Sequence, residues 1–123
     1  MPATLKGCRI LVVEDNFLLA ETLRDLLEDC GCELVGPAAR VAKALPLCTK
    51  DLDGALLDIN LGSETCFEVA DRLFDHGVPF MFLSGYNDAA IVPDRFGHVP
   101  RLAKPYDRQA IVREAEKRFQ LKQ

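Results

Sequence analysis

No apolar run in this chain approaches the roughly 20 residues needed to cross a bilayer, so the sequence offers no membrane-spanning helix. The opening Met1-Pro2-Ala3-Thr4-Leu5-Lys6-Gly7 lacks the long apolar stretch of a secretory signal, which points to the cytoplasm. Cys-x-x-Cys is missing too, and the 5 cysteines (Cys8, Cys30, Cys32, Cys48, Cys66) are odd in number. That excludes a disulfide framework or a zinc site and leaves small apolar residues in a reducing compartment. Basic clusters are scarce: the net charge is −4, against the counterion-displacing patch that nucleic acid demands. Arg113, Lys117, Arg118 and Lys122 are interleaved with Glu114 and Glu116, as on a solvated helix face. Repeats, low-complexity stretches and linkers are absent. A length of 123 residues suits one domain spanning residues 1–123.

What is present is an alternation of short apolar runs with helical stripes. Cys8 to Val13 reads as a strand buried on both faces. Leu19, Leu23, Leu26 and Leu27 form one helical stripe, with Asn16 as N-cap and Gly31 as stop. A second strand over Glu33 to Gly36 closes at Gly36-Pro37. A helix over Ala38 to Lys50 should be kinked or shortened by Pro46. Ala55 to Asp58 is a third strand. Ser63 to His76 is a helix with Phe67, Ala70, Leu73 and Phe74 facing inward. Pro79 to Ser84 is a fourth strand. Between Tyr86 and Pro100, Pro93, Gly97 and Pro100 leave room for one short turn near Asp88 to Ile91, with few packed contacts. Arg101 to Ala103 is a fifth strand, and Asp107 caps a last helix with Ile111, Ala115 and Phe119 inside. The expected architecture is an α/β doubly wound, five-stranded parallel sheet.

Functional groups of such a sheet gather at the carboxyl ends of its strands. Those ends carry Glu14 and Asp15, Asp58, Ser84 and Lys104. Each has an ordinary reading as a loop or turn residue; together they do not. Neighbouring acids repel unless a cation intervenes, and a hard divalent ion held by oxygens is the natural partner. Mg²⁺ among carboxylates, with Lys and Ser free to grip oxygens, makes a phosphoryl-transfer site. Asp58 is then the nucleophile that becomes an acyl phosphate. Mg²⁺ would be bound by Asp15 and Asp58, by Glu14 through water, and by a backbone carbonyl, that of Asn60. Ser84 would donate to one phosphoryl oxygen and Lys104 pair with another.

Three blocks, Ile10-Leu11-Val12-Val13-Glu14-Asp15-Asn16, Leu57-Asp58-Ile59-Asn60-Leu61-Gly62 and Leu102-Ala103-Lys104-Pro105-Tyr106, resemble the receiver domains of two-component signalling. The likeness runs from Arg9 to Phe119. Pro79-Phe80-Met81-Phe82-Leu83-Ser84-Gly85-Tyr86 further resembles the "FAT GUY" group of receivers, with Leu83 and Ser84 in place of Ala and Thr. The resemblance implies a flavodoxin-like strand order 2-1-3-4-5 and a cytoplasmic phosphoacceptor rather than an enzyme. It also implies phosphate exchange with a histidine kinase or histidine phosphotransfer protein, and a downstream protein partner.

The chain departs from the wider family at Arg101, where most receivers place Tyr or Phe three residues before the lysine, and in its short or missing fourth helix. The aromatic switch is therefore in doubt, Tyr106 is read as a packing residue, and the segment Gly85 to Pro100 becomes the movable part. Other chemistries fit less well. A flavin-binding loop would not tolerate Glu14 and Asp15 against its phosphate. A haloacid-dehalogenase-type phosphatase needs an acid where Asn60 stands. A transcription factor needs an output domain beyond Phe119. The remaining alternatives are a receiver fragment of a hybrid kinase, against which Met1 and the short tail weigh, and a phosphate sink.

Overall fold

In the computed structural model, residues 5–85, 88–104 and 107–120 are described. Their elements follow in the order β1 (Arg9–Val13), α1 (Phe17–Asp29), β2 (Glu33–Ala38), α2 (Val41–Ala44) and β3 (Gly54–Asp58). Then come α3 (Phe67–Asp75), β4 (Phe80–Ser84), β5 (Arg101–Ala103) and α4 (Arg108–Arg118). The strands pair in parallel in the order β2-β1-β3-β4-β5. This is the flavodoxin-like doubly wound sheet that the blocks implied.

The period-2 alternation of the central strands decides which helix covers which face. Ile10, Val12, Leu56, Met81 and Leu83 meet Leu23, Leu26 and Leu27 of α1 and Ile111, Ala115 and Phe119 of α4 and its end. Leu11, Val13, Ala55, Leu57, Phe80 and Phe82 meet Val41 and Ala44 of α2 and Val69, Ala70 and Leu73 of α3. Gly54 is required at the start of β3, because a β-carbon there would run into the Phe119 ring.

The capping residues act as their types predict. Asn16 accepts the Leu19 N–H at 3.1 Å, and Asp107 accepts those of Gln109 and Ala110. Gly31 leaves α1 with φ +80°. Four cysteines are buried, Cys30 is half-buried, and all five are free thiols.

Several boundaries move. β2 runs past Gly36-Pro37 to Ala38, which belongs to the strand and not to the following helix. Its register against β1 shifts between Leu11 and Val13, and Glu14 N–H donates to the Ala38 carbonyl at 2.9 Å. An edge strand tolerates a proline at such an irregularity, because the missing N–H costs no ladder bond there. The helix expected to Lys50 ends at Ala44 and tightens into a 3₁₀ turn over Leu45–Leu47, with Pro46 inside it. α3 begins at Phe67 rather than Ser63, since Asn60 and Thr65 form an antiparallel bridge that folds the intervening residues into a loop. Phe74, expected inside, is 64% exposed. It lies about 100° round the helix from Leu73 and misses the buried stripe of Val69, Ala70 and Leu73.

The connection from β4 to β5 contains the expected short turn, a 3₁₀ turn at Asp88–Ile91, but also a second, unexpected one at Asp94–Phe96. It is better packed than its composition suggested. Phe96 is buried among Phe67, Phe80 and Phe82, with ring centroids 5.7–6.1 Å away. Tyr86 and Tyr106, including the expected packing role of Tyr106, lie outside the described residues.

Candidate functional site

β1 and β3 end side by side, and their parallel register delivers Glu14, Asp15 and Asp58 to one edge of the sheet. Glu14 and Asp58 are buried, Asp15 is exposed, and one carboxylate oxygen from each lies within 4.8 Å of the others. Lys104 follows β5, its backbone N–H donating to the Ser84 carbonyl at 2.8 Å. That bond aims the side chain across the strand ends, placing Nζ 3.1 Å from Asp58 Oδ1 and 3.6 Å from Glu14 Oε1. Glu14 Oε2 also accepts the Asn16 N–H at 3.2 Å, tying the acid to the start of α1.

The groups border a cavity of about 500 Å³ lined by Asp15, Asn16, Asp58, Asn60, Asp88 and Lys104, among others. Gly62, at φ +82°, brings its backbone alongside Asp15, whose Oδ2 would lie 3.8 Å from a β-carbon there. Asn60 turns its Oδ1 back to accept the Gly62 N–H at 3.0 Å. Ser84 ends β4 at the same edge and is buried, but it is not among the residues lining the cavity.

Charge is out of balance here. Among the described residues neither Asp58 oxygen accepts a well-formed hydrogen bond, although Lys104 Nζ sits close to Oδ1. Burial, and then the neighbouring Glu14 carboxylate, push the Asp58 pKa well above the usual carboxylate range, and Lys104 only partly offsets them. Burial alone would lower the Lys104 pKa, but Asp58 and Glu14 outweigh it and hold the ammonium up. Among the described residues, Glu14, Asp15 and Asp58 face the ammonium of Lys104, an excess of negative charge that a divalent cation would offset. The donor set is all oxygen, suited to a hard ion.

The structure thus gathers Glu14, Asp15, Asp58, Asn60 and Lys104 around one cavity, with Ser84 at its margin. Asp88 was anticipated as the start of a turn, not as a cavity residue. Its carboxylate is buried and accepts the Gly85 N–H at 2.6 Å. The spacing of an acid three residues after Gly85 was the available signal.

Residues 10–116 match the family of response regulator receiver domains. The chain belongs to that family. Among solved structures, SdrG from Sphingomonas melonis Fr1 is 37% identical, with 92% of this chain aligned to 94% of that one at a TM-score of 0.75. The signal receiver domain of a modulated diguanylate cyclase from Desulfovibrio desulfuricans G20 is 33% identical, covering 91% and 93% at a TM-score of 0.77. The receiver domain of PhyR from Erythrobacter litoralis is 25% identical, covering 91% and 89% at a TM-score of 0.78. No curated protein matches the chain. Receivers are signalling phosphoacceptor domains of two-component systems, and they bind Mg²⁺ in a cluster of acidic residues; this chain has an acidic group, Glu14, Asp15 and Asp58, at the carboxyl edge of its sheet. No helix among the described residues is long and apolar enough to cross a membrane.

Proposed function

We propose that residues 1–123 act as one cytoplasmic receiver that takes a phosphoryl group onto Asp58 from a histidine kinase or histidine phosphotransfer protein. The observation that carries this reading is Asp58 itself: a buried carboxylate whose oxygens are left without well-formed hydrogen bonds, beside an ammonium and open to a cavity. Burying a carboxylate whose oxygens lack well-formed hydrogen bonds costs free energy that one nearby ammonium only partly offsets, so its retention argues for chemistry rather than stability.

In the transfer, a carboxylate oxygen of Asp58 forms the new P–O bond as the P–N bond to the donor's imidazole breaks. The imidazole nitrogen keeps the electron pair and regains a proton from solvent. Lys104 stabilises the charge on the transferred oxygens through its ammonium, preset by the bond from its backbone to Ser84. The Ser84 hydroxyl serves as a further donor. Asp15 and Asp58 would hold Mg²⁺ directly, with Glu14 acting through water and the Asn60 carbonyl completing the set. When bound, Mg²⁺ neutralises the excess charge of the acids.

The β4 sequence Phe80-Met81-Phe82-Leu83-Ser84-Gly85 and the exposed Arg101 support placing the chain near the FAT GUY group, with a protein as downstream partner. Labelling by acetyl phosphate in Mg²⁺ tests the reading. Wild type should gain one acid-labile phosphate per chain and Asp58→Asn none; label on that variant refutes the assignment.

A further inference from the structure

Asp88 opens the turn after β4 and carries a carboxylate that phosphoryl transfer to Asp58 leaves unused. It is 8% exposed and lines the same cavity as Asp58 and Lys104. Its Oδ2 accepts the Gly85 N–H at 2.6 Å, while its own N–H is 3.3 Å from the Gly85 carbonyl. An acid reaching back three residues to an N–H is half of a capping box, and the bond is charge-assisted. A β-carbon on Gly85 would lie 3.2 Å from Asp88 Oδ2, so the carboxylate rests directly on the glycine backbone.

This edge of the sheet is already rich in acids, and Asp88 adds another. A phosphoryl group on Asp58 would bring further anionic oxygens into the same cavity, and they need donors. Lys104 supplies one. Gly85 lines the cavity as well, and Asp88 occupies its N–H. We infer that Asp88 is a positioning residue that competes with the phosphoryl group on Asp58 for the Gly85 N–H. The inference rests on Asp58 being the phosphoacceptor.

While Asp88 holds the amide, the site lacks one donor and opposes the incoming anion by like charge. Once a phosphoryl oxygen takes the amide, Asp88 is released, and the Asp88–Ile91 turn is freed with it, carrying the half-exposed Ile91. The same carboxylate sets how readily the site fills and reports that it has filled.

The test uses the full chain with Mg²⁺ and beryllofluoride, a mimic of the phosphoryl group on Asp58. Asp88→Ala should bind beryllofluoride about tenfold more tightly than wild type, because no competing acceptor has to be displaced. Asp88→Asn should tighten binding by less, because its amide oxygen is a weaker, uncharged acceptor for the Gly85 N–H. In nuclear magnetic resonance spectra, the Gly85 amide proton of wild type and Asp88→Asn should differ in the free protein. The two should converge when beryllofluoride is bound, since the amide then has the same acceptor in both. A merely structural role would lower stability without producing that convergence. Unchanged or weaker affinity in both variants, or a Gly85 difference that persists in the bound state, overturns the proposal. Should Asp88→Ala fail to fold, the isosteric Asp88→Asn carries the comparison. Should wild type bind no beryllofluoride, the phosphoacceptor reading itself fails and this one with it; binding by wild type that is indifferent to Asp88 removes this one alone.

Discussion

Lys104 Nζ lies 3.1 Å from Asp58 Oδ1, and the lysine that makes this contact is fixed at its backbone by a 2.8 Å bond to the Ser84 carbonyl. The cation is therefore held by the same strand end that is expected to supply the hydroxyl donor. Replacing Lys104 by Met keeps much of the side chain's bulk and removes the charge. Labelling of Asp58 by acetyl phosphate should slow by about 10²-fold, the usual cost of losing one preorganised donor to a developing oxyanion. Lys104→Arg should recover part of that loss. Equal rates in wild type and Lys104→Met would remove the lysine from the chemistry.

Asp58 should weaken the fold that carries it. Its native pKa is raised, by burial first and by Glu14 next, so the folded state holds the proton more tightly than the unfolded chain does. For an acid shifted in this direction, the contribution is fully present below the unfolded pKa. It is lost progressively as pH rises from the unfolded pKa to the folded pKa, because over that window the unfolded state has released a proton that the native state keeps. Thermal unfolding in EDTA should therefore show Asp58→Asn more stable than wild type near about pH 8, with the gap closing toward about pH 4. Millimolar Mg²⁺ should narrow the gap at the higher pH by binding the native acids of wild type. A gap that does not vary with pH would show that the buried Asp58 charge is not what weakens the fold.

Gly54 and Phe119 make a stability test far from the phosphorylation chemistry. A methyl group on Gly54 meets the buried Phe119 ring head-on. Gly54→Ala should lower the unfolding free energy by about 1–3 kcal/mol, the typical cost of overpacking, with the denaturant slope unchanged. A second substitution, Phe119→Leu, should restore part of it, because the smaller side chain yields the space. Simple additivity of the two losses would show that the ring is not what the methyl meets.

How much of this was legible in the sequence depends on the range over which each signal acts. Asn16, Gly31 and Asp107 mark helix ends through bonds made within a few residues, and all three do so in the structure. Strand ends are equally local, and in a parallel sheet they share one edge. That is why Glu14, Asp15, Asp58 and Lys104 could be grouped before their distances were known. Phe74 could not be placed from periodicity, since one step round a helix decides between core and solvent, and only the sheet beneath fixes that step. Asp88 stayed hidden for another reason. An acid at the start of a turn is ordinary, and its burial against Gly85 depends on how β4 and the following turn meet.

The connection between β4 and β5 should respond to phosphorylation in two unequal parts. Its composition suggested one loosely packed stretch, yet Phe96 is 2% exposed and is surrounded by the rings of Phe67, Phe80 and Phe82. Those rings belong to α3 and β4, so the Asp94–Phe96 turn is fastened to the core, and Arg95 adds an ion pair to Asp71 of α3 at 2.9 Å. The exposed ion pair contributes little, about 0–1 kcal/mol, so the rings make the anchor. The Asp88–Ile91 turn has a different tether, the Asp88 carboxylate on Gly85, and both residues line the cavity shared with Asp58 and Lys104. Segments held by few buried contacts open first, and contacts that a ligand can displace are the ones a switch uses. Hydrogen exchange with Mg²⁺ alone, compared with Mg²⁺ plus beryllofluoride, should therefore change across residues 88–92 and stay within error across 94–99. Phe96→Ala should remove that division by loosening the second turn, with beryllofluoride binding retained. A uniform change across both turns in wild type would mean that the aromatic anchor does not confine the response.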